Sequence, residues 1–223
     1  MYNRSLFIMT LVLASLSFAE QSEPLVLFDF AGSFDVNSVQ TSDASVALAR
    51  PGALRIETGH EKKWPGITLK APKGKWDLSQ FEYVSLNVKN VSDEPVTVYC
   101  RVDNPGADGR KKCVTGNIKL SGCQKEMLTV RLLPTRWRLS EPLEPKLKGM
   151  RGAPTYSDKI DPSNVTQLLM FVSSPSADHV FEIDNVRAGG NVEVLDAKTF
   201  LPFIDEFGQF IHRDWPGKTH SLE

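Results

Sequence analysis

Two groups of side chains in this 223-residue sequence are of types that could do chemistry. The first is aromatic and planar-polar: Trp64, Tyr99, Arg101, Asn104 and Trp137, with Trp76 as a further ring. Flat rings cover the apolar faces of pyranose sugars while planar amides and guanidinium groups pair with the hydroxyls, so such a set suits sugar recognition. The second group is acidic. Asp29 interrupts the apolar run LVLFDF, and Glu182 and Asp184 interrupt HVFEIDNV. If the first and last strands of the fold lie side by side, these carboxylates would repel one another unless a structural Ca²⁺ sat between them. The other reading places them at a solvent-facing sheet edge, and the sequence leaves both open.

Catalytic arrangements are harder to find. Glycoside hydrolysis needs two carboxylates about 5–9.5 Å apart across a rigid cleft. The adjacent Asp205 and Glu206 would point in different directions from any regular backbone, and no other pair stands out. There is no G-x-S-x-G elbow, no phosphate-cradling glycine loop, and no CxxC or Cys/His pattern with zinc spacing. Asp103, Asn104 and Asp108 superficially suggest a calcium loop, but Pro105 stands where a ligand would be needed, and the segment reads as a turn. No catalytic residue is assigned within this chain.

The elements that must hold the aromatic set read as strands. Val84, Leu86 and Val88 alternate with Tyr83, Ser85 and Asn87, and Val96, Val98, Cys100 and Val102 alternate with Thr97, Tyr99, Arg101 and Asp103. Period two describes strands with one buried face, and it puts Tyr99 and Arg101 together on the polar side of theirs. Further strands are expected at 25–30, 44–48, 53–57, 66–70, 114–120, 127–133, 166–172 and 179–187, separated by turn residues such as Pro51-Gly52 and Ser121-Gly122. About ten short strands without helical periodicity predict an all-β fold, an antiparallel β-sandwich or jelly roll. Trp76, just before a strand, reads as a plug for the sandwich end, whereas Trp64, between Lys62-Lys63 and Pro65-Gly66, reads as exposed. The proline-rich stretch from Leu139 to Asp161 is expected to be a long excursion between strands.

Residues 1–19 have the layout of a secretory signal, with Arg4 near the start, an apolar run from Leu6 to Phe18, and small Ser17 and Ala19 at the expected cleavage site. The run is short of the ~20 apolar residues that span a bilayer, so a secreted or periplasmic protein without a membrane anchor is expected. A balance of 26 basic against 27 acidic groups offers no field to attract nucleic acid, and the run Arg110-Lys111-Lys112 reads as a solvated loop tip. Cys100, Cys113 and Cys123 cannot all pair within one chain; Cys100 and Cys113 flank an expected hairpin loop and are the preferred pair.

The runs WPGITLKAPKGKWDLSQFEYVSLNVKN, RVDNPGADG, CVTGNIKL and FEIDNVRAGG, followed by FIDEFGQFIHRDWPGKTHS, resemble the N-terminal part of the β-agarases of glycoside hydrolase family 50. The resemblance implies a carbohydrate-binding-module-like, galactose-binding-domain-like jelly roll over 24–188, and over 189–223 a linker leading into a (β/α)₈ barrel. The catalytic glutamates of that family belong to the barrel, which takes ~250 residues, and the chain is expected to lack it. Phe203, Ile204, Phe207, Phe210, Ile211 and Trp215 would then be an aromatic tail without its neighbour. The implied partners are a galactose-containing, agarose-like polysaccharide and a catalytic barrel. The alternative role is a buttress for that barrel with no sugar binding of its own.

Overall fold

Alternating burial along each strand decides how the chain layers. Val84, Leu86 and Val88 are buried, as are Val96, Val98, Cys100 and Val102, each within strands whose intervening residues mostly face outward. The structure is a computed structural model, and it describes residues 23–31, 34–50, 52–132, 137–139 and 160–195. Among these residues lie thirteen strands: β1 (Leu25–Phe28), β2 (Gln40–Ser42), β3 (Ala44–Arg50), β4 (Ala53–Thr58), β5 (Gly66–Lys70), β6 (Tyr83–Asn90), β7 (Val96–Asp103), β8 (Cys113–Leu120), β9 (Lys125–Arg131), β10 (Trp137–Leu139), β11 (Gln167–Val172), β12 (His179–Gly189) and β13 (Glu193–Leu195). The signal at 1–19, most of the excursion from Leu139 to Asp161 and the tail at 201–223 lie outside the described residues.

Two antiparallel sheets share one core. The first has the order β3-β4-β12-β6-β9, with β1 also on β12; the second has the order β2-β5-β11-β7-β8. Successive strands cross repeatedly between the sheets, as from β4 to β5, β6 to β7, β8 to β9 and β11 to β12, which is the winding of a jelly roll. Strand β12 is long enough to hold two partners along one edge, β4 against His179–Asp184 and β1 against Val186–Ala188. Asn185, at φ 56°, marks the irregular step between them, where the pairing with β6 also shifts. Between the sheets lie Leu54, Ile56, Leu86, Val98, Met170, Phe181 and Ile183, all essentially inaccessible to water. Each such side chain contributes ~1.5–3 kcal/mol by leaving water.

Polar staples close the turns. Asn90 is fully buried; its amide nitrogen donates to the Glu94 and Ser121 carbonyls at 2.8 and 3.0 Å, and its oxygen accepts from Ser92 N. Trp76 is partly buried against the core, edge-on to Phe28 at 5.6 Å, and Phe28 in turn packs on Phe34 and Phe30. The ten expected strands are present, and β2, β10 and β13 are additional; at three residues each they carry too little pattern to be seen as strands.

One pairing expected from the sequence is corrected. Cys100, Cys113 and Cys123 are all free thiols. Register puts Cys100 opposite Gly116 and Cys113 opposite Asp103, so the first points into the core while the second shares the outer face with Asp103. Two cysteines on opposite faces of neighbouring strands cannot bring their sulfurs together. Burial pushes the Cys100 thiol up to about 12.

Candidate functional site

The outer face of the second sheet is built from cross-strand rows. In one row Thr68 of β5, Leu169 of β11, Arg101 of β7 and Thr115 of β8 are direct neighbours; in the next, Gly66, Phe171, Tyr99 and Asn117 are. The inward positions of β11 are Leu168, Met170 and Val172, so alternation turns Leu169 and Phe171 outward, where they are half-buried. Tyr99 and Phe171 stack face to face, with centroids 5.3 Å apart and planes 11° from parallel. Gly66 makes room for that row. A Cβ there would overlap the Met170 carbonyl oxygen and stand 2.6 Å from Phe171 Cα.

Trp64 stands over one end of these rows. It lies on the loop between β4 and β5 and is 57% exposed, the most exposed of the large apolar side chains in this region. The loop is tied down on both sides. Asp43, held at φ 49°, accepts from Glu61 N and Lys62 N at 2.9 and 3.0 Å and takes Gly59 N on its carbonyl. Ser174 N and Val172 N, at the end of β11, donate to the Lys63 and Pro65 carbonyls. Lys63 Nζ sits 4.9 Å from the Trp64 ring centroid, a cation–π contact that further fixes the indole. Trp64, Leu169, Phe171, Arg101 and Arg110 border a depression of about 570 Å³, within the ~300–1,000 Å³ of ordinary ligand sites.

Arg101 is held beneath that depression by a buried acid. Its Nε and Nη2 donate to the two oxygens of Asp103 at 2.7 and 2.8 Å, and Gln167 Nε2 donates to Asp103 Oδ2 at 3.0 Å. The Asp103 side chain is wholly buried, and that of Arg101 is 20% exposed. The hydrogen bond to Asp103 raises the Arg101 pKa, so the guanidinium stays charged. On the loop after β7, Asp108 Oδ1 accepts from Arg110 N and Lys111 N at 2.8 and 2.7 Å, which holds its carboxyl below the usual carboxylate range.

The structure therefore brings Trp64, Tyr99 and Arg101 to one face. Asn104 is placed differently: it is 6% exposed, its Nδ2 donates to the Asp161 and Asn164 carbonyls at 2.7 Å each, and its Oδ1 accepts from Asp161 N. It fastens the segment before β11 to the end of β7. Trp137 begins β10, opposite Glu193 of β13, and its side chain lies outside the described part of the structure. Phe171, Leu169 and Gln167 are not singled out by the sequence, and Asp103 is met there only as a strand-end and turn residue. A signal for two of them exists: QLLMFV is apolar at both inward and outward positions, as a strand covered on both faces would be.

Asp29, Glu182 and Asp184 take separate partners. Asp29 Oδ1 accepts from Ala31 N at 3.0 Å. Glu182 lies 4.0 Å from Arg55 Nη1, and Asp184 binds Lys125 Nζ at 2.7 Å and Asn87 through its other oxygen. Among the described residues no three metal-ligating side chains come together. Arg55 and Lys125 of the same sheet thus stand beside Glu182 and Asp184, the two acids of β12.

No family model matches the chain. Over 217 residues it is 25% identical to beta-agarase B of Vibrio sp. (strain JT0107), a match that covers 91% of this chain and 22% of the agarase. The solved structure of an exo-beta-agarase aligns with a TM-score of 0.56 at 20% identity, over 88% of this chain and 29% of that one. The agarase AgWH50C aligns at 0.54 and 16% identity, over 90% and 29%. These structures show the fold. The chain spans about a fifth of the length of the curated relative it matches. The resemblance to the sandwich region of family 50 β-agarases is thus borne out along nearly the whole chain, and it concerns one part of those proteins.

Proposed function

We propose that this chain is a carbohydrate-binding accessory module of an agarase-like glycoside hydrolase, gripping a galactose-containing polysaccharide on the outer face of its second sheet. The observation that carries this reading is Trp64, an exposed indole on a doubly anchored loop beside a stacked tyrosine–phenylalanine pair and a fixed guanidinium. Rings held in place before binding lose little freedom on contact with a sugar, which is where affinity for a flat, hydroxylated ligand comes from. The similarity to beta-agarase B supports both the polysaccharide class and a catalytic domain as partner, in the same polypeptide or supplied separately. An exported location follows from the signal-like residues 1–19, and among the described residues no helix is long and apolar enough to cross a membrane.

Affinity electrophoresis in agarose tests the proposal. The chain should be retarded relative to a sugar-free gel, and Trp64→Ala should weaken the affinity roughly 5- to 30-fold, since one stacked ring contributes on the order of 1–2 kcal/mol. The buttress reading has its own support in Leu25 and Val26 of β1, 39% and 58% exposed, a surface that a neighbouring domain could cover. Unretarded migration of a folded chain would favour the buttress.

A further inference from the structure

The depression beside Trp64 is unlike the rest of the chain in charge and in hydrogen-bond polarity. The protein as a whole has 26 basic and 27 acidic groups. Buried Asp103 offsets Arg101 from below, and around the depression stand three cations, Lys63, Arg101 and Arg110, against one lining acid, Asp108. Asp108 is turned toward its own loop, where two backbone N–H groups already use one of its oxygens. Lys62 adds a fourth cation at the rim, 3.3 Å from the Ser42 hydroxyl that also borders the depression, whereas Lys112 is folded back toward Gly106. Ammonium and guanidinium groups donate hydrogen bonds and accept none. The polar lining is therefore rich in donors and poor in free acceptors.

Arg101 sharpens this. A guanidinium has five N–H donors, and Asp103 takes only those of its side-on edge, through Nε and Nη2. Toward the described residues Nη1 donates no hydrogen bond, which leaves the end-on edge, with two parallel N–H groups, open. Gly109, at φ +85°, passes close by: a Cβ at that position would stand 2.9 Å from Nη1. The lack of a side chain at Gly109 keeps that position from crowding Nη1. Two parallel N–H donors match the two oxygens of a carboxylate or sulfate, and a charge-assisted pair of this kind is roughly twice as strong as a hydrogen bond to a hydroxyl. The hydroxyls of a neutral sugar ring can accept from these donors but bring no negative charge to offset the cations.

We infer that the module, if it grips polysaccharide as proposed above, selects an anionic galactan, seating a sulfate ester or a uronate carboxylate on the free edge of Arg101 while Trp64 covers the adjoining ring. Lys63 and Arg110 supply the surrounding positive potential, so the preference weakens as salt rises.

Affinity electrophoresis of the full chain decides it, with four polymers compared at low and high salt: agarose, a sulfated galactan, the same galactan after chemical desulfation, and polygalacturonate. At low salt the sulfated galactan or the polygalacturonate should bind at least about tenfold more tightly than the desulfated polymer, a difference of ~1.4 kcal/mol. Which of the two anions binds tells sulfate from carboxylate. The double variant Lys63→Ala/Arg110→Ala, altered only at solvent-facing side chains, should bring the ratio toward one while Trp64→Ala weakens every polymer. Equal binding of sulfated and desulfated galactan, still sensitive to Trp64→Ala, would overturn the anionic preference and leave the sugar-binding reading standing. Absence of binding to all four polymers would overturn both.

Discussion

The two sheets of this sandwich share a core, a winding and an alternation of buried and outward residues, yet their outer faces are built on opposite principles. On the first sheet several charges have their answer nearby: Glu182 faces Arg55, Asp184 faces Lys125 and Asn87, Arg55 also reaches Glu57, and Arg131 reaches Glu82. Such a face is satisfied by itself and offers a ligand little. On the second sheet a tight ion pair, Arg101 with Asp103, lies under the surface and serves to aim a guanidinium. Above it stand rings that water covers poorly and donors without acceptors. The difference shows that an outward strand position is informative when it is not compensated by its own neighbours.

The comparison breaks most visibly at β11, whose two sides do different work. Leu168→Ala opens a cavity in the core and should cost ~2–5 kcal/mol, lowering the denaturant midpoint of the whole domain. Phe171→Ala, outward and half-buried beside Tyr99, should cost less stability and more polysaccharide affinity. Equal loss of binding in both variants at a temperature where both are folded would mean that the face has no special role.

Ion pairs give the next contrast. Asp103→Ala leaves a mostly buried guanidinium without its partner and removes the acceptor of Gln167, a loss of about 3 kcal/mol. Asp184→Ala breaks a pair whose lysine is half-exposed and should cost about 1 kcal/mol. Urea titrations of the two variants measure this directly, and a larger effect for Asp184 would reverse the assignment of the two faces. Because Arg55 and Lys125 already compensate the acids of β12, a chelator should leave the melting temperature unchanged. A fall on chelation would point to a bound structural Ca²⁺.

Smallest is the pH response, which belongs to the start of β12 and not to the proposed binding face, whose lining contains no histidine. His60 bonds Asp178 at 2.7 Å, which raises its pKa. The stabilisation is complete below the unfolded value of about 6.5 and is lost as pH rises through the higher folded value. His179 is shifted the other way by burial, with Nδ1 unpartnered among the described residues, so it opposes folding as pH falls through 6.5. His60→Gln should remove the alkaline loss and keep the acid one, as melting curves between pH 5 and 8 would show.

Much of this was legible in the sequence because it is local. Period two in 83–90 and 96–103 assigns Val84, Leu86, Val98 and Cys100 inward and Tyr99 and Arg101 outward without knowledge of any partner strand. What could not be read depends on register. Phe171 meets Tyr99 only because β11 pairs with β7 from 72 residues away in sequence, counting 171 − 99. Asn104 looks like a free amide in the sequence; it becomes a staple only when the backbone at 161–164 arrives beside it. The acids of β12 likewise find Arg55 and Lys125 from other strands, and the two cysteines part company through the facing of β7 and β8.

Amide and indole chemical-shift mapping with a galactan oligosaccharide tests the central claim most directly, since it observes both faces at once. The account predicts perturbations centred on Trp64, Arg101, Tyr99 and Phe171 and silence around Asp184, Glu182 and Lys125. Shifts confined to the first sheet, or none on either face at millimolar sugar, would contradict it.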